Sequence, residues 1–146
     1  MRHGKDDRTL DIFAVPQPVQ AMPGHGNYSV QVSELVAELM KHSGLDRPEI
    51  AARMTHLSGG DVSKAMLDAW SSPARLDHNL PLYRAALIEE VCSGSLLTDW
   101  LVNLRGGRVA YGRDALLVEL GRLEREGDTA RRRARELKRL LGGDHA

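Results

Sequence analysis

The stretch RPEIAARMTHLSGGDVSKAMLDAW, residues 47–70, decides the fold. It reads as two short helices joined by a glycine turn, with Ile50, Ala51 and Met54 on one face of the first and Val62, Leu67 and Trp70 on one face of the second. That is the pattern of a helix-turn-helix, in which a small residue, here Ala51, sits where the helices cross and the outer side of the second helix is left for a major groove. Seven residues separate Met54 from Val62, so the turn is longer than in a compact motif. Asp46 is an N-cap candidate for the first helix, supported by Pro48 inside its first turn and Glu49 three residues on.

Asp61 reads as the N-cap of the second helix, 62–70, its carboxylate placed to accept from free first-turn amides. With Val62, Met66, Leu67 and Trp70 inward, Ser63, Lys64 and Asp68 face out with Ala65 beside them, as candidates to meet base edges or phosphates. Asp68 suits that task least, because phosphates repel a carboxylate unless it accepts from a cytosine amino group or pairs with a neighbouring Arg or Lys. Arg47, Arg53 and Arg75 flank the motif as candidate phosphate contacts that set its orientation. Each arginine taken singly also reads as an ordinary solvated residue.

Outward from this pair, residues 33–43 form a scaffold helix with Leu35, Val36, Leu39 and Met40 at helical spacing, Ser33 as its N-cap and Gly44 as its stop. Residues 77–104 hold two further helices. Pro81 opens the first, which carries Leu82, Ala85, Leu87, Ile88 and Val91; the second carries Leu96, Leu97, Trp100, Leu101 and Leu104 and closes at Gly106 and Gly107. Both are expected to contribute to the core. Residues 108–111 read as a brief strand or a lead into the last helix. Glu89 and Glu90 are adjacent, and neighbours on a helix point about 100° apart, which argues against a shared acid–base site.

The last element, about 113–141, places Leu116, Leu120, Leu123, Gly127, Ala130, Ala134, Leu137 and Leu141 at alternating spacings of four and three. This heptad register is that of a helix that zips against a partner, and it makes Leu116, Leu120, Leu123, Ala130, Ala134, Leu137 and Leu141 the candidate oligomerisation residues. A break at Gly127, with Asp128 or Thr129 capping a new helix, is the competing reading. The final part is strongly basic, with Arg131, Arg132, Arg133, Arg135, Lys138 and Arg139, a run that reads as a solvated face or as a contact to phosphates or an acidic partner.

The 146 residues, 42% of them hydrophobic, suffice for one reasonable core with appendages. A net charge of +0 provides no overall field for indiscriminate nucleic-acid binding, so any DNA contact must come from local clusters. Cys92 is the single cysteine, which excludes an internal disulfide or a multi-cysteine zinc motif, and it reads as a buried thiol. No apolar run reaches a membrane span and no signal-peptide pattern opens the chain, so the expected location is the cytoplasm. Residues 1–28 read as an unstructured or extended arm, interrupted by Pro16, Pro18, Pro23, Gly24 and Gly26, with an apolar patch at Leu10, Ile12, Phe13 and Val15. The expected organisation is all-α: an arm (1–29), a helical helix-turn-helix domain with its two-helix segment (30–110) and a long basic C-terminal helix (111–146).

The run RPEIAARMTHLSGGDVSKAMLDAWSSPA, followed by LLTDWL with a glycine pair and then by a charged helix beginning GRLERE, resembles helix-turn-helix regulatory proteins of Mu-like transposable phages and prophages. The likeness covers most of the chain after Ser33, and DVSKAMLDAW is its most specific piece. It implies a regulator of phage genes in a bacterial host, with Ser63, Lys64 and Asp68 at the recognition positions. The functional expectation is therefore sequence-specific binding of double-stranded DNA by a dimer or higher oligomer, with half-sites about one helical turn, roughly 34 Å, apart. A helical adaptor that binds a protein partner through the heptad helix is the alternative. No Ser/His/Asp, Cys/His, phosphate-loop or metal-ligand spacing points to an enzyme, a metal, a cofactor or a small-molecule substrate.

Overall fold

The computed structural model describes residues 15–142; the patch at Leu10, Ile12 and Phe13 lies outside the described residues. The fold is all-α, with six helices among the described residues: α1 (Ser29–Ser43), α2 (Arg47–Ser58), α3 (Lys64–Trp70), α4 (Leu82–Cys92), α5 (Leu96–Leu104) and α6 (Arg113–Gly142). Extended pairing among the described residues is confined to an isolated antiparallel bridge between Pro18 and Arg105. The chain divides into two compact units, the first ending at Arg108 and the second beginning at Val109.

In the first unit, α1 and α2 pack against α4, α1 also meets α5, and α3 lies on α2. Their shared core contains Val36, Leu39, Ile50, Met54, Leu67 and Ile88, all fully buried, with Val62, Trp70, Val91 and Leu97 around them. Burying such a side chain contributes about 1.5–3 kcal/mol. Local chemistry fixes the helix ends: Gly44 and Gly59 close α1 and α2 in the left-handed conformation, at φ 70° and 66°, and the Gly59 amide donates to Thr55 O at 3.0 Å. Asp46 caps α2, its carboxylate accepting from the Glu49 amide at 2.8 Å.

Two expected caps lie elsewhere. α1 starts at Ser29, where Asn27 Oδ1 accepts from the Ser29 amide at 3.0 Å, so Ser33 falls inside the helix and is not its N-cap. There the buried Ser33 hydroxyl donates to Ser29 O and accepts from Asn79 Nδ2, fastening α1 to the loop before α4. In α3 the cap is Ser63 and not Asp61, because Thr55 Oγ1 accepts from the Val62 amide at 3.0 Å and donates to its carbonyl at 3.1 Å. That double clip holds Val62 to the end of α2 and delays the next helix until Lys64.

The expectation that both α4 and α5 bury their apolar residues holds only in part. Leu82, Tyr83 and Leu101 are exposed, and Leu97 is the one buried residue of α5. Leu82 and Leu101 instead border an open apolar cleft shared with Val32, Ala85, Leu97 and Trp100. Glu89 is buried on α4 and accepts from the Thr98 amide at 2.9 Å and the Thr98 hydroxyl at 2.6 Å, so it satisfies the first turn of α5. Cys92 is buried, as its apolar setting suggested, and burial pushes its thiol pKa up. Residues 108–111 form no strand.

Among the described residues the second unit holds one helix, α6, thirty residues long and unbroken at Gly127. It has no buried residue. Its own ion pairs support it along the surface: Arg122 with Glu119 at 2.6 Å and with Glu126, and Arg131 with Asp128 at 2.7 Å.

Candidate nucleic-acid interface

α3 is seven residues long and owes its place to Leu67, Ala69 and Trp70, which are buried, and to Val62 just before it. Its first turn is fixed from both directions: the Ser63 hydroxyl accepts from the Met66 amide at 3.2 Å, and the Ser63 amide donates to Met66 Sδ at 3.5 Å. Ser63 is half-buried, not fully outward as expected, and one lone pair of its hydroxyl serves the cap. Lys64 and Ala65 remain exposed.

Asp68 lies one turn beyond Lys64 on the same face. Its carboxylate accepts from Lys64 Nζ at 2.7 Å and from the Arg47 guanidinium at the start of α2. Those two hydrogen bonds, Lys64 first and Arg47 second, hold the Asp68 carboxyl below its ordinary pKa, so it is ionised at neutral pH. The cluster has two cations and one anion, a local charge of plus one, on a ridge where Lys64 is exposed and Arg47 and Asp68 are half-buried. The sequence admits a neighbouring cation for Asp68, and Lys64 at i−4 is within reach of it. The Arg47 contact spans twenty-one residues and depends on the packing of α3 on α2.

Arg53 and Arg75 stand apart from this cluster. Arg53 pairs with Glu49 one turn earlier on α2, and Arg75 is exposed in the loop after α3, close enough to help lower the Asp77 pKa, after the larger effect of His78. A cation not singled out from the sequence is Arg84, on the first turn of α4. Its guanidinium carbon lies 5.4 Å from the Trp70 ring centroid and 5.5 Å from that of Tyr83, and its Nη2 donates to Asp61 O at 3.4 Å. Arg84 thus ties the end of α3 and the turn before it to α4. No local pattern marks it, since the Trp70 partner is fourteen residues away.

No family model, curated protein or solved structure matches the chain. Among the described residues no cluster of His, Cys, Asp and Glu has the form of a metal site, and no helix is long and apolar enough to cross a membrane.

Proposed function

We propose that the chain is a sequence-specific DNA-binding regulator, a binding protein and not an enzyme, acting in the bacterial cytoplasm on phage or prophage genes as a homo-oligomer. The observation that carries this reading is the ridge at Arg47, Lys64, Ala65 and Asp68: α3 is pinned from beneath by Val62, Leu67 and Trp70 and keeps Lys64 and Ala65 in solvent, while the half-buried Arg47 reaches Asp68 from the start of α2. Ala65 allows close approach to a groove wall, Lys64 and Arg47 supply phosphate contacts, and Asp68 holds both cations in place until phosphates compete for them. The choice of phage or prophage genes rests on the resemblance of DVSKAMLDAW to phage regulators that the sequence suggests, which no matching family model, curated protein or solved structure tests.

The test is enrichment of duplexes from a random library on immobilised protein, followed by binding of the enriched duplex across a salt series. A salt-sensitive complex is expected, and Lys64→Ala should flatten the plot of log K against log[salt] by about 0.9 for the lost phosphate contact. No enrichment, together with no salt-sensitive complex, refutes the reading.

A second reading, a helical adaptor, is favoured by the internal pairing of Asp68 with both cations and by the uncovered apolar face of α6. Truncation after Gly112 separates the two. Loss of DNA binding with an intact monomer supports the regulator; unchanged DNA behaviour with loss of a protein complex supports the adaptor.

A further inference from the structure

The heptad face of α6 is continuous and wholly uncovered: Leu116, Leu120, Leu123, Leu137 and Leu141 are each more than half exposed, and Ala130 and Ala134 lie open between them. Gly127, Ala130 and Ala134 make the middle of this stripe narrow, and a trough there is lined by Arg122, Glu126, Ala130, Arg133, Ala134 and Leu137. The charges flanking the stripe identify what covers it. Glu119, Glu126 and Arg133 lie beside one edge, and Glu124, Arg131 and Lys138 beside the other.

We propose that α6 pairs with a second copy of itself in antiparallel orientation. The inference rests on the homo-oligomer in the reading above and adds the direction of the pair. In a parallel pair, edge residues meet five positions apart on opposite flanks. Glu119 would then face the partner's Glu124, and Arg133 the partner's Lys138. Only Glu126 against the partner's Arg131 attracts, so repulsive contacts outnumber attractive ones.

Reversing one helix brings like edges together. With Gly127 opposite the partner's Ala130, Glu124 meets the partner's Arg131 and Glu126 meets the partner's Arg133. Each contact occurs twice by symmetry, and none of these nearest pairs is repulsive. The same register closes the apolar stripe along its length. Leu116 faces the partner's Leu141, Leu120 the partner's Leu137, and Leu123 fills the space beside the partner's Ala134. The basic second half of each helix is laid along the more acidic first half of the other.

An antiparallel pair sends the chain out at opposite ends. The two Arg113 residues stand thirty-one positions apart along the axis, roughly 46 Å at 1.5 Å per residue, whereas a parallel pair would keep them within roughly 10 Å.

The experiment measures distances between spin labels in the full chain carrying Cys92→Ala, with a single cysteine at either Val118 or Arg125. Both sites are exposed and share one heptad position, so a parallel pair gives the same distance for both. The antiparallel register offsets the two Val118 labels by twenty-one residues, roughly 31 Å along the axis, and the two Arg125 labels by seven, roughly 10 Å. A distance clearly longer at Val118 than at Arg125 is the expected result. Equal distances overturn the antiparallel pair and leave self-association standing. The absence of any inter-chain distance, with a monomer mass by sedimentation at the same concentration, overturns self-association itself.

Discussion

Replacing Asp68 by Asn tests whether the ridge on α3 is an interface for duplex DNA, because it changes charge without changing shape. In the wild-type chain one ionised carboxylate holds Lys64 Nζ at 2.7 Å and the Arg47 guanidinium on its other oxygen. The three groups together present one net positive charge to solvent. Asp68→Asn removes the anion and leaves two cations on the same ridge, the amide still able to accept one hydrogen bond. On a duplex of unrelated sequence, where Asp68 keeps these cations from the phosphates that the enriched duplex reaches, each cation the variant frees to a phosphate steepens the fall of log K with log[salt] by about 0.9, so release of both steepens it by up to roughly 1.8. Over the fourfold rise from about 50 to about 200 mM salt, that is an additional loss of ~3.5-fold for one cation or ~12-fold for both. The assay is fluorescence anisotropy of a labelled duplex of unrelated sequence, titrated at several salt concentrations. Tighter binding at low salt with a steeper slope is expected. A variant that folds normally and binds no more tightly, with an unchanged slope, refutes the placement of this ridge against phosphates.

Acid should erase the contribution of the same carboxylate to stability. Its folded pKa is depressed, so its stabilisation is fully present above the unfolded value of about 3.9 and is lost as pH falls through the folded one; the Tm difference between wild type and Asp68→Asn should shrink on acidification through that window. Asp46→Ala removes the α2 cap and should cost about 1 kcal/mol in denaturant unfolding. Ile50→Ala, at a fully buried site between helices, should cost about 2–5 kcal/mol in the same measurement. Gly106→Ala should detach the segment around Pro18, because a Cβ at Gly106 would stand 2.5 Å from Pro18 N, and faster exchange of the Val19 amide, which donates to Leu104 O, would report it.

The parts of the fold that were legible in the sequence depend on near neighbours. Gly44 and Gly59 end helices because only a left-handed residue turns the chain there, and Asp46 caps α2 through an amide three residues away. The spacing of α6 gave its continuity, since leucines at four and three keep one face in line across Gly127. What stayed hidden depends on contacts that only packing creates. Ser33 carries a good capping side chain, yet Asn79, forty-six residues on, claims it from inside α1. Asp61 is as good a cap by composition as Ser63, yet the clip between Thr55 and Val62 moves the helix start past it. At the candidate site the outward face of Lys64, Ala65 and Asp68 could be read from helical periodicity. The arrival of Arg47 at Asp68 and the stacking of Arg84 on Trp70 could not, because both join elements far apart in sequence.

Contact between α3 and a duplex is observed most directly by a photo-crosslinking side chain at Ala65, the exposed small residue between Lys64 and Asp68. With p-benzoylphenylalanine at that position and a duplex retained by the protein at low salt, irradiation should join the protein to DNA, and raising the salt should abolish the product. A duplex that remains bound yet gives no crosslink from Ala65 would place the DNA on some other surface and contradict the account.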